Sequence, residues 1–374
     1  MIYLDYAATT PIKREVLHVF NEVSMNYFGN PSSLHDIGSE AMKLLELCRK
    51  ELADKMNGES DGIYFTSGGS ESNILAIRSL VDAYKDKGHH LITTATEHSS
   101  VFHLFKQLES EGFSVTYLSV DEYGHIRLDE LKKAINQRTI LASIQHSNSE
   151  IGTIQPVEEI GRILNENGII FHCDCVQTFG KVPINIKKYH IDSLSISSHK
   201  IYGPKGVGAC YINPTLLWKA QLPDTTHENG FRPGTVNVPG IAAFTTAAQI
   251  IYSEMQENIK KYRALRNRMI TLIQDLNLGI MVEGHGDEQL PHIVGLSIPG
   301  IQGQYVMLEC NRYGIAISTG SACQVGQQKP SKTMMAIGKS TDEAKQLIRI
   351  SFGDQTVESE IEKVVDVLHS IVKK

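Results

Sequence analysis

No run in this sequence approaches the roughly 18 apolar residues that a membrane-crossing helix needs, so a membrane protein is not expected. There is no cationic surplus either. Lys and Arg number 36 against 42 Asp and Glu, a formal net charge of −6. Without a strong positive field, neither nucleic acid nor an anionic membrane surface is an expected partner, and a small substrate is favoured over a polymer. Cysteine is sparse, with Cys48, Cys173, Cys175, Cys210, Cys310 and Cys323 spread over 374 residues. Folding at that density does not depend on disulfides. A reducing cytoplasm is the expectation, in which any special cysteine is reactive or metal-binding. The opening MIYLDYAATTPIK has neither a basic segment nor an apolar one, so no signal peptide is read and a cytoplasmic location is expected. Internal repeats and low-complexity segments are absent. What remains is an average soluble composition, 41% hydrophobic and 21% charged, ample for a large core. The length suggests about two domains.

Helical patterns and short apolar runs alternate through the first two-thirds. Residues 38–56 carry apolar side chains at helical spacing. GIYFTS (62–67) reads as a strand followed at once by a helix starting at about Ser70 or Glu71. HLITTAT, FSVTYLSV, TILASIQ and IIFHCD continue as strands, with VFHLFKQLESEG, LDELKKAI and VEEIGRILNENG as helices. Repeated units of this kind predict an α/β fold with a mainly parallel sheet and helices on both faces. After about residue 238 the rhythm changes to one long helix, Pro239 to about Leu276. Short strands (HIVGLSI, AIST, LIRISF) and a closing amphipathic helix follow, predicting a smaller α+β domain.

Ligands of open parallel sheets bind beyond the carboxyl ends of the strands. Four such places carry chemistry. In TSGGSESN (66–73), Gly68 and Gly69 precede a helix start, where free N–H groups and the helix dipole suit a phosphate. An ordinary capped strand–turn–helix connection is the plain alternative. In IIFHCDCVQ, Asp174 ends an apolar strand. A buried carboxylate there needs a partner, and a protonated pyridine nitrogen is one. Cys173 and Cys175 project to the opposite side and lack a second pair at zinc-site spacing, so no metal is expected. In LSISSHKIYGPKG, Lys200 lies where a strand gives way to a loop. A lysine of lowered proton affinity there forms a Schiff base with an aldehyde, whereas an isolated lysine is more often a solvated one. In AISTGSACQVGQQKP, Cys323 opens a long polar stretch and is a candidate reactive thiol. Cys48 and Cys310 sit on helices and read as inert core. Phosphate cradle, strand-end Asp and strand-end Lys together match the three anchors of pyridoxal 5'-phosphate.

These residues resemble the cysteine desulfurases of the NifS/IscS-like group within the class V aminotransferases, a branch of the fold-type I pyridoxal-phosphate enzymes. The likeness runs from YLDYAATTP (3–11) and GNPSSLH (29–35) through TSGGSESN, TEHSSV, SNSEIGTIQP and HCDCVQTFGK. It continues in SSHKIYGPKGVGA, FRPGTVNVP, STGSAC and IRISFG. It implies a large cofactor-binding domain over 12–250 and a small domain built from 1–11 and 251–374. It implies Lys200 as the Schiff-base lysine and acid–base group, Asp174 at the pyridine nitrogen and Gln177 at the ring hydroxyl. Gly69, Ser70, Ser197 and His199 correspond to phosphate ligands, with Thr235 reaching the phosphate across a homodimer interface. His98 corresponds to the imidazole stacked on the ring, with a possible part in proton transfer. Arg349 corresponds to the substrate-carboxylate clamp, and Cys323 to the nucleophile that takes sulfur. Asn148 and Ser149 hold the place of two cofactor-side asparagines, so Ser149 is a departure. A second departure is PDTTHENG (223–230), where the family has a glycine-rich Gln-Glu stretch; Pro233 in place of serine is a third.

The activity implied is conversion of L-cysteine to L-alanine with a persulfide on Cys323. The sulfur would go to an acceptor protein, an iron–sulfur scaffold or a thiolation enzyme. The alternatives are another class V enzyme, such as an aminotransferase or a selenocysteine or β-lyase, and an inactive interaction protein.

Overall fold

The computed structural model describes residues 1–284, 288–320 and 330–373. In chain order, β1 (Ile2–Tyr3), α1 (Arg14–Asn26) and α2 (Asp36–Lys55) come first. The alternating region then forms β2 (Ile63–Thr66), α3 (Gly69–Tyr84), β3 (His90–Thr94), α4 (Ser99–Ser110), β4 (Ser114–Leu118) and α5 (Leu128–Ala134). It continues with β5 (Thr139–Ser143), α6 (Val157–Glu166), β6 (Ile170–Asp174), β7 (Ser193–Ser197) and β8 (Gly208–Ile212). The long helix α7 spans Val238–Asp275. Beyond it lie β9 (Met281–Glu283), β10 (Ile293–Ser297), α8 (Gly303–Arg312), β11 (Ile315–Ala316), α9 (Lys332–Ala336), α10 (Thr341–Ala344), β12 (Leu347–Ser351) and α11 (Glu358–Val372).

The main sheet has seven strands in the order β2-β8-β7-β6-β5-β3-β4. Only β8 runs against the others, pairing antiparallel with both β7 and β2. A short glycine-rich loop, with no crossover helix, joins β7 to β8, and so short a connection returns the chain antiparallel. Successive strand residues enter opposite cores. Phe65, Ile92, Ala142 and Phe171 pack with α2, α6 and α7 on one face. Tyr64, Leu91, Leu141 and Ile170 pack with α3 and α4 on the other. Burial on both faces explains why these strands read as continuous apolar runs. β3, β5, β6, β7 and β8 are buried along their whole length.

A third core lies beside β12-β10-β9, an antiparallel sheet. α7 serves two cores: Phe244 and Ile251 join the first, and Tyr262 and Met269 join the third. The 250/251 boundary expected from sequence falls inside this helix. The chain's first residues cross over as well. β1 pairs in parallel with β11, and Asp5 bridges to Ser351 at the end of β12. YLDYAATT is thereby carried to the edge of the large sheet. No described helix is long and apolar enough to cross a membrane.

Candidate active site

β2, β3, β5, β6 and β7 point the same way, so the residues that follow them meet along one sheet edge. A cavity of about 600 Å³ opens there. Gly69, Ser70, His98, Asp174, His199 and Lys200 all line it. Their chain separation is large, but their strands are neighbours in the sheet.

The turn after β2 needs its glycines. Gly68 has φ +150°, open to glycine and rarely adopted by other residues. A Cβ on Gly69 would lie 2.5 Å from Cγ2 of Val176. The helix therefore begins at Gly69, slightly earlier than the sequence suggests, and its first main-chain bond runs from Ser72 N to Gly68 O. The N–H groups ahead of that bond form an anion-attracting helix start. Ser197, at the end of β7, is buried with its Oγ unpaired. Beside it, burial and then the charges of Lys200 and Lys205 push His199 down to about 4, so its imidazole is neutral. His199 Nδ1 is 3.2 Å from Thr9 Oγ1.

Asp174 is 7% exposed. One carboxylate oxygen accepts from Val176 N at 3.0 Å, the other from Asn73 Nδ2 at 2.8 Å. Lys200 Nζ donates to the carbonyls of Ala7 at 2.6 Å and Ala8 at 2.9 Å. Gln177 Nε2 donates to the same Ala7 carbonyl at 3.1 Å, and its Oε1 is buried without a partner. His98 caps α4, its Nδ1 accepting from Ser100 N at 3.2 Å. Its neighbour Glu97 is buried and pushed up to about 8, chiefly by burial and then by Asp174.

Arg349, on β12, is 3% exposed and enters from the smaller sheet. Nη1 donates to Ser149 O at 2.9 Å and Gly320 O at 3.0 Å, and Nη2 to Asp5 Oδ1 at 2.7 Å. Ser149 and Asn148 also line the cavity. The Asn148 amide is engaged on both sides. Its oxygen accepts from Glu150 N and Ile151 N, and its Nδ2 donates to Thr333 Oγ1 at 3.0 Å. This asparagine therefore shapes the 148–151 turn.

Two candidates are not in this group. Thr235 is exposed and does not line the cavity of its own chain. Cys323 lies outside the described residues. The other five cysteines are buried. Burial pushes the Cys310 thiol up to about 12. Among the described residues, no group of three or more His, Cys, Asp or Glu is arranged to hold a metal ion.

The unusual 223–230 segment keeps one acidic anchor. Buried Glu228 pairs with Arg49 and accepts from Phe65 N at 2.7 Å. Arg232, two residues beyond the segment, donates to Glu71 at 2.8 Å, tying the chain that follows it to the start of α3. Sequence reasoning missed Asn73, Asp5 and the Ala7 and Ala8 carbonyls. Only Asn73 carried a signal: it lies four residues after Gly69, one turn along the same helix face.

Five buried polar atoms around the cavity lack a partner among the described residues: Glu97 Oε2, Ser147 Oγ, Gln177 Oε1, Ser197 Oγ and Arg349 Nε. Buried polar atoms are normally satisfied, so their clustering fits a polar guest. A helix-start cradle for phosphate, a carboxylate, a lysine amine and a guanidinium match the donor set that pyridoxal phosphate and an amino acid require.

This chain is similar over its full length to proteins of known kind. It is 52% identical over 367 residues to the protein named NifS in Bacillus subtilis (strain 168), covering 98% of this chain and 93% of that one. It is 40% identical over 373 residues to cysteine desulfurase IscS of Methanosarcina thermophila, covering 100% of this chain and 92% of the relative. Among solved structures, SspA in complex with cysteine superposes with a TM-score of 0.82 at 33% identity, covering 96% of this chain and all of that one. The family model described as Aminotransferase class-V matches residues 2–364, and the chain belongs to that family.

Proposed function

We propose that this protein is a pyridoxal-phosphate-dependent cysteine desulfurase, converting L-cysteine to L-alanine and delivering the sulfur to an acceptor. The observation that carries the reading is the convergence of Lys200 and Asp174, from the ends of adjacent strands β7 and β6, on one cavity bordered by the Gly68–Gly69 helix start. The desulfurase relatives and the cysteine-bound structural neighbour select cysteine as the substrate.

Pyridoxal phosphate, when bound, supplies an aldehyde for amines and a ring that withdraws electrons from the substrate Cα. The start of α3, with Ser70, Ser197 and His199, holds the phosphate. Neutral His199 has one ring N–H to give and adds no charge. Asp174 would hold the ring nitrogen with its carboxylate, and Gln177 would hold the ring hydroxyl. His98 would stack on the ring. Arg349 binds the substrate carboxylate; its Nη1 is held by two carbonyls, which fixes the plane of the guanidinium. Lys200 is the amine that removes the Cα proton and later returns a proton to the carbon skeleton. The Ala7 and Ala8 carbonyls hold it in place from the N-terminal segment. The Cys323 thiolate attacks the substrate sulfur; an S–S bond forms as the substrate Cβ–S bond breaks, leaving a persulfide, and the carbon skeleton keeps the bonding electron pair, is protonated and departs as L-alanine. Thr235, exposed on its own chain, is assigned to the phosphate of a second copy in a homodimer. An iron–sulfur scaffold or a thiolation enzyme is the acceptor class.

The test is incubation of the holoenzyme with L-cysteine and reductant, measuring alanine and sulfide. Lys200→Ala should lower kcat by roughly 10²- to 10⁴-fold. Cys323→Ala should still bind cysteine but stop releasing sulfide. Amino transfer to a keto acid without desulfuration, or full sulfide release by Cys323→Ala, overturns the assignment.

A further inference from the structure

One buried cluster beneath the cavity is not used by the reaction as described. Asn73, His172 and Ser193 are 1%, 0% and 0% exposed. They come from α3, β6 and β7, and they form a chain of hydrogen bonds leading to Asp174. Ser193 Oγ lies 2.9 Å from His172 Nδ1, and His172 Nε2 lies 3.1 Å from Asn73 Oδ1. Asn73 Nδ2 lies 2.8 Å from Asp174 Oδ2 and 3.1 Å from Ser100 Oγ. Ser100 Oγ lies 2.8 Å from His98 Nδ1.

The bond directions follow from two constraints, an accepting carboxylate and a single imidazole N–H. An ionised carboxylate only accepts, so the Asn73 atom facing Asp174 is its NH₂. The Asn73 oxygen then faces His172 and requires an N–H at Nε2. Burial pushes His172 down to about 3, so its imidazole is neutral and carries only one N–H. Nδ1 is therefore an acceptor and takes the Ser193 hydroxyl proton. The second Asn73 hydrogen goes to Ser100 Oγ, whose own proton goes to His98 Nδ1.

We propose that Asn73, locked in orientation by His172, is a positioning residue that holds the Asp174 carboxylate as a hydrogen-bond acceptor and joins it through Ser100 to His98. This inference rests on the cofactor reading above for what Asp174 faces. Without the Asn73 donor, Asp174 keeps the Val176 N–H as its one donor among the described residues, in a site that solvent barely reaches. A hydrogen bond donated to a carboxylate favours its charged form. The proton shared between Asp174 and the ring would shift toward the carboxylate, and the ring would become less electron-withdrawing.

Two measurements test it. The first is ¹⁵N-histidine NMR of the full chain, with and without pyridoxal phosphate, the His172 signal being assigned by its loss in His172→Gln. A neutral ring protonated at Nε2 from about pH 5 to about pH 8 is expected. An Nδ1–H tautomer in that range overturns the proposal, because the Asn73 amide would then have to be reversed; an imidazolium overturns the neutral lock, since Nδ1 would then donate to Ser193 although Nε2–H would still face Asn73. The second is an absorbance titration of the bound cofactor. Asn73→Ala and Asn73→Asp should raise the midpoint by about one pH unit. His172→Gln, which still offers a donor to Asn73, should keep the parent midpoint, and His172→Leu should move it as the Asn73 variants do. Equal midpoints in Asn73→Ala and the parent, or in the two His172 variants, overturn the proposal. If the Asn73 variants do not fold, the His172 pair decides. If the chain binds no pyridoxal phosphate, the functional reading fails, and the tautomer measured without cofactor still judges this inference.

Discussion

Glu228→Gln should destabilise the protein out of proportion to the chemical change. The Glu228 and Arg49 side chains are 2% and 7% exposed. Arg49 Nη1 and Nη2 reach the Glu228 carboxylate at 3.0 and 3.1 Å, and Phe65 N adds a third donor at 2.7 Å. Removing the charge from one side leaves the buried guanidinium with the much more exposed Glu46 carboxylate, 3.2 Å from Nε, as its remaining counter-charge among the described residues, a loss of about 3–5 kcal/mol. That is a large fraction of the roughly 5–15 kcal/mol by which domains are stable. Arg49→Met should cost a similar amount, for the mirror-image reason. The pair of changes Arg49→Met and Glu228→Leu removes both charges. It leaves Phe65 N without its acceptor and takes the Arg49 donor from Ile63 O, a residual penalty of about 1–3 kcal/mol. The double variant should therefore lose at least about 2 kcal/mol less than the sum of the singles. The control is Lys43→Ala, whose ion pair with Glu40 is 72% and 55% exposed and should contribute nothing measurable. Urea denaturation followed by tryptophan fluorescence reads the right segment. Trp218, the one tryptophan in the sequence, packs on Tyr64 and on Phe231, three residues beyond Glu228. Additive single costs, or a Glu228→Gln loss below about 1 kcal/mol, would refute the claim that this buried pair anchors the segment.

Gly69→Ala should force Val176 aside and, with it, the N–H that holds Asp174. Overpacking of about 1–3 kcal/mol corresponds to roughly 10- to 100-fold weaker pyridoxal phosphate binding. Equilibrium dialysis measures it, and unchanged affinity would place the phosphate elsewhere. Arg349→Lys keeps the charge but loses the fork held by Ser149, Gly320 and Asp5, so KM for L-cysteine should rise about 10- to 100-fold. Steady-state kinetics with an unchanged KM would contradict the clamp. His172 and His292 are wholly buried, with proton affinities lowered by burial to about 3 and well below the usual range respectively. The unfolded chain binds their protons first, so stability is lost as pH falls through about 6.5. From about pH 7 to about pH 5.5 each costs about 1 kcal/mol. Urea midpoints at the two pH values check this, and His172→Gln should flatten its own share of the slope.

The sequence alone determined the layers of this protein and the places where its chemistry sits. Strands buried on both faces must be apolar throughout, and helices that cover them must be apolar on one side. IIFHCD, TILASIQ and the α7 segment are therefore visible without coordinates. The carboxyl end of each strand follows directly, and with it Asp174, Lys200 and the Gly68–Gly69 turn. Cys323 was legible as a motif in the sequence and lies outside the described residues. Tertiary structure decided which distant groups touch. Ala7 and Ala8 hold Lys200 because β1 pairs with β11 and delivers the N-terminal segment across about 190 residues of intervening chain. Asn73 reaches Asp174 because α3 lies over the strand that carries it. Asp5 meets Arg349 because the start of the chain bridges to β12. Local patterns record which face of an element is buried. They do not record sheet order or rotamer, and those two quantities determine hydrogen-bond partners far apart in sequence.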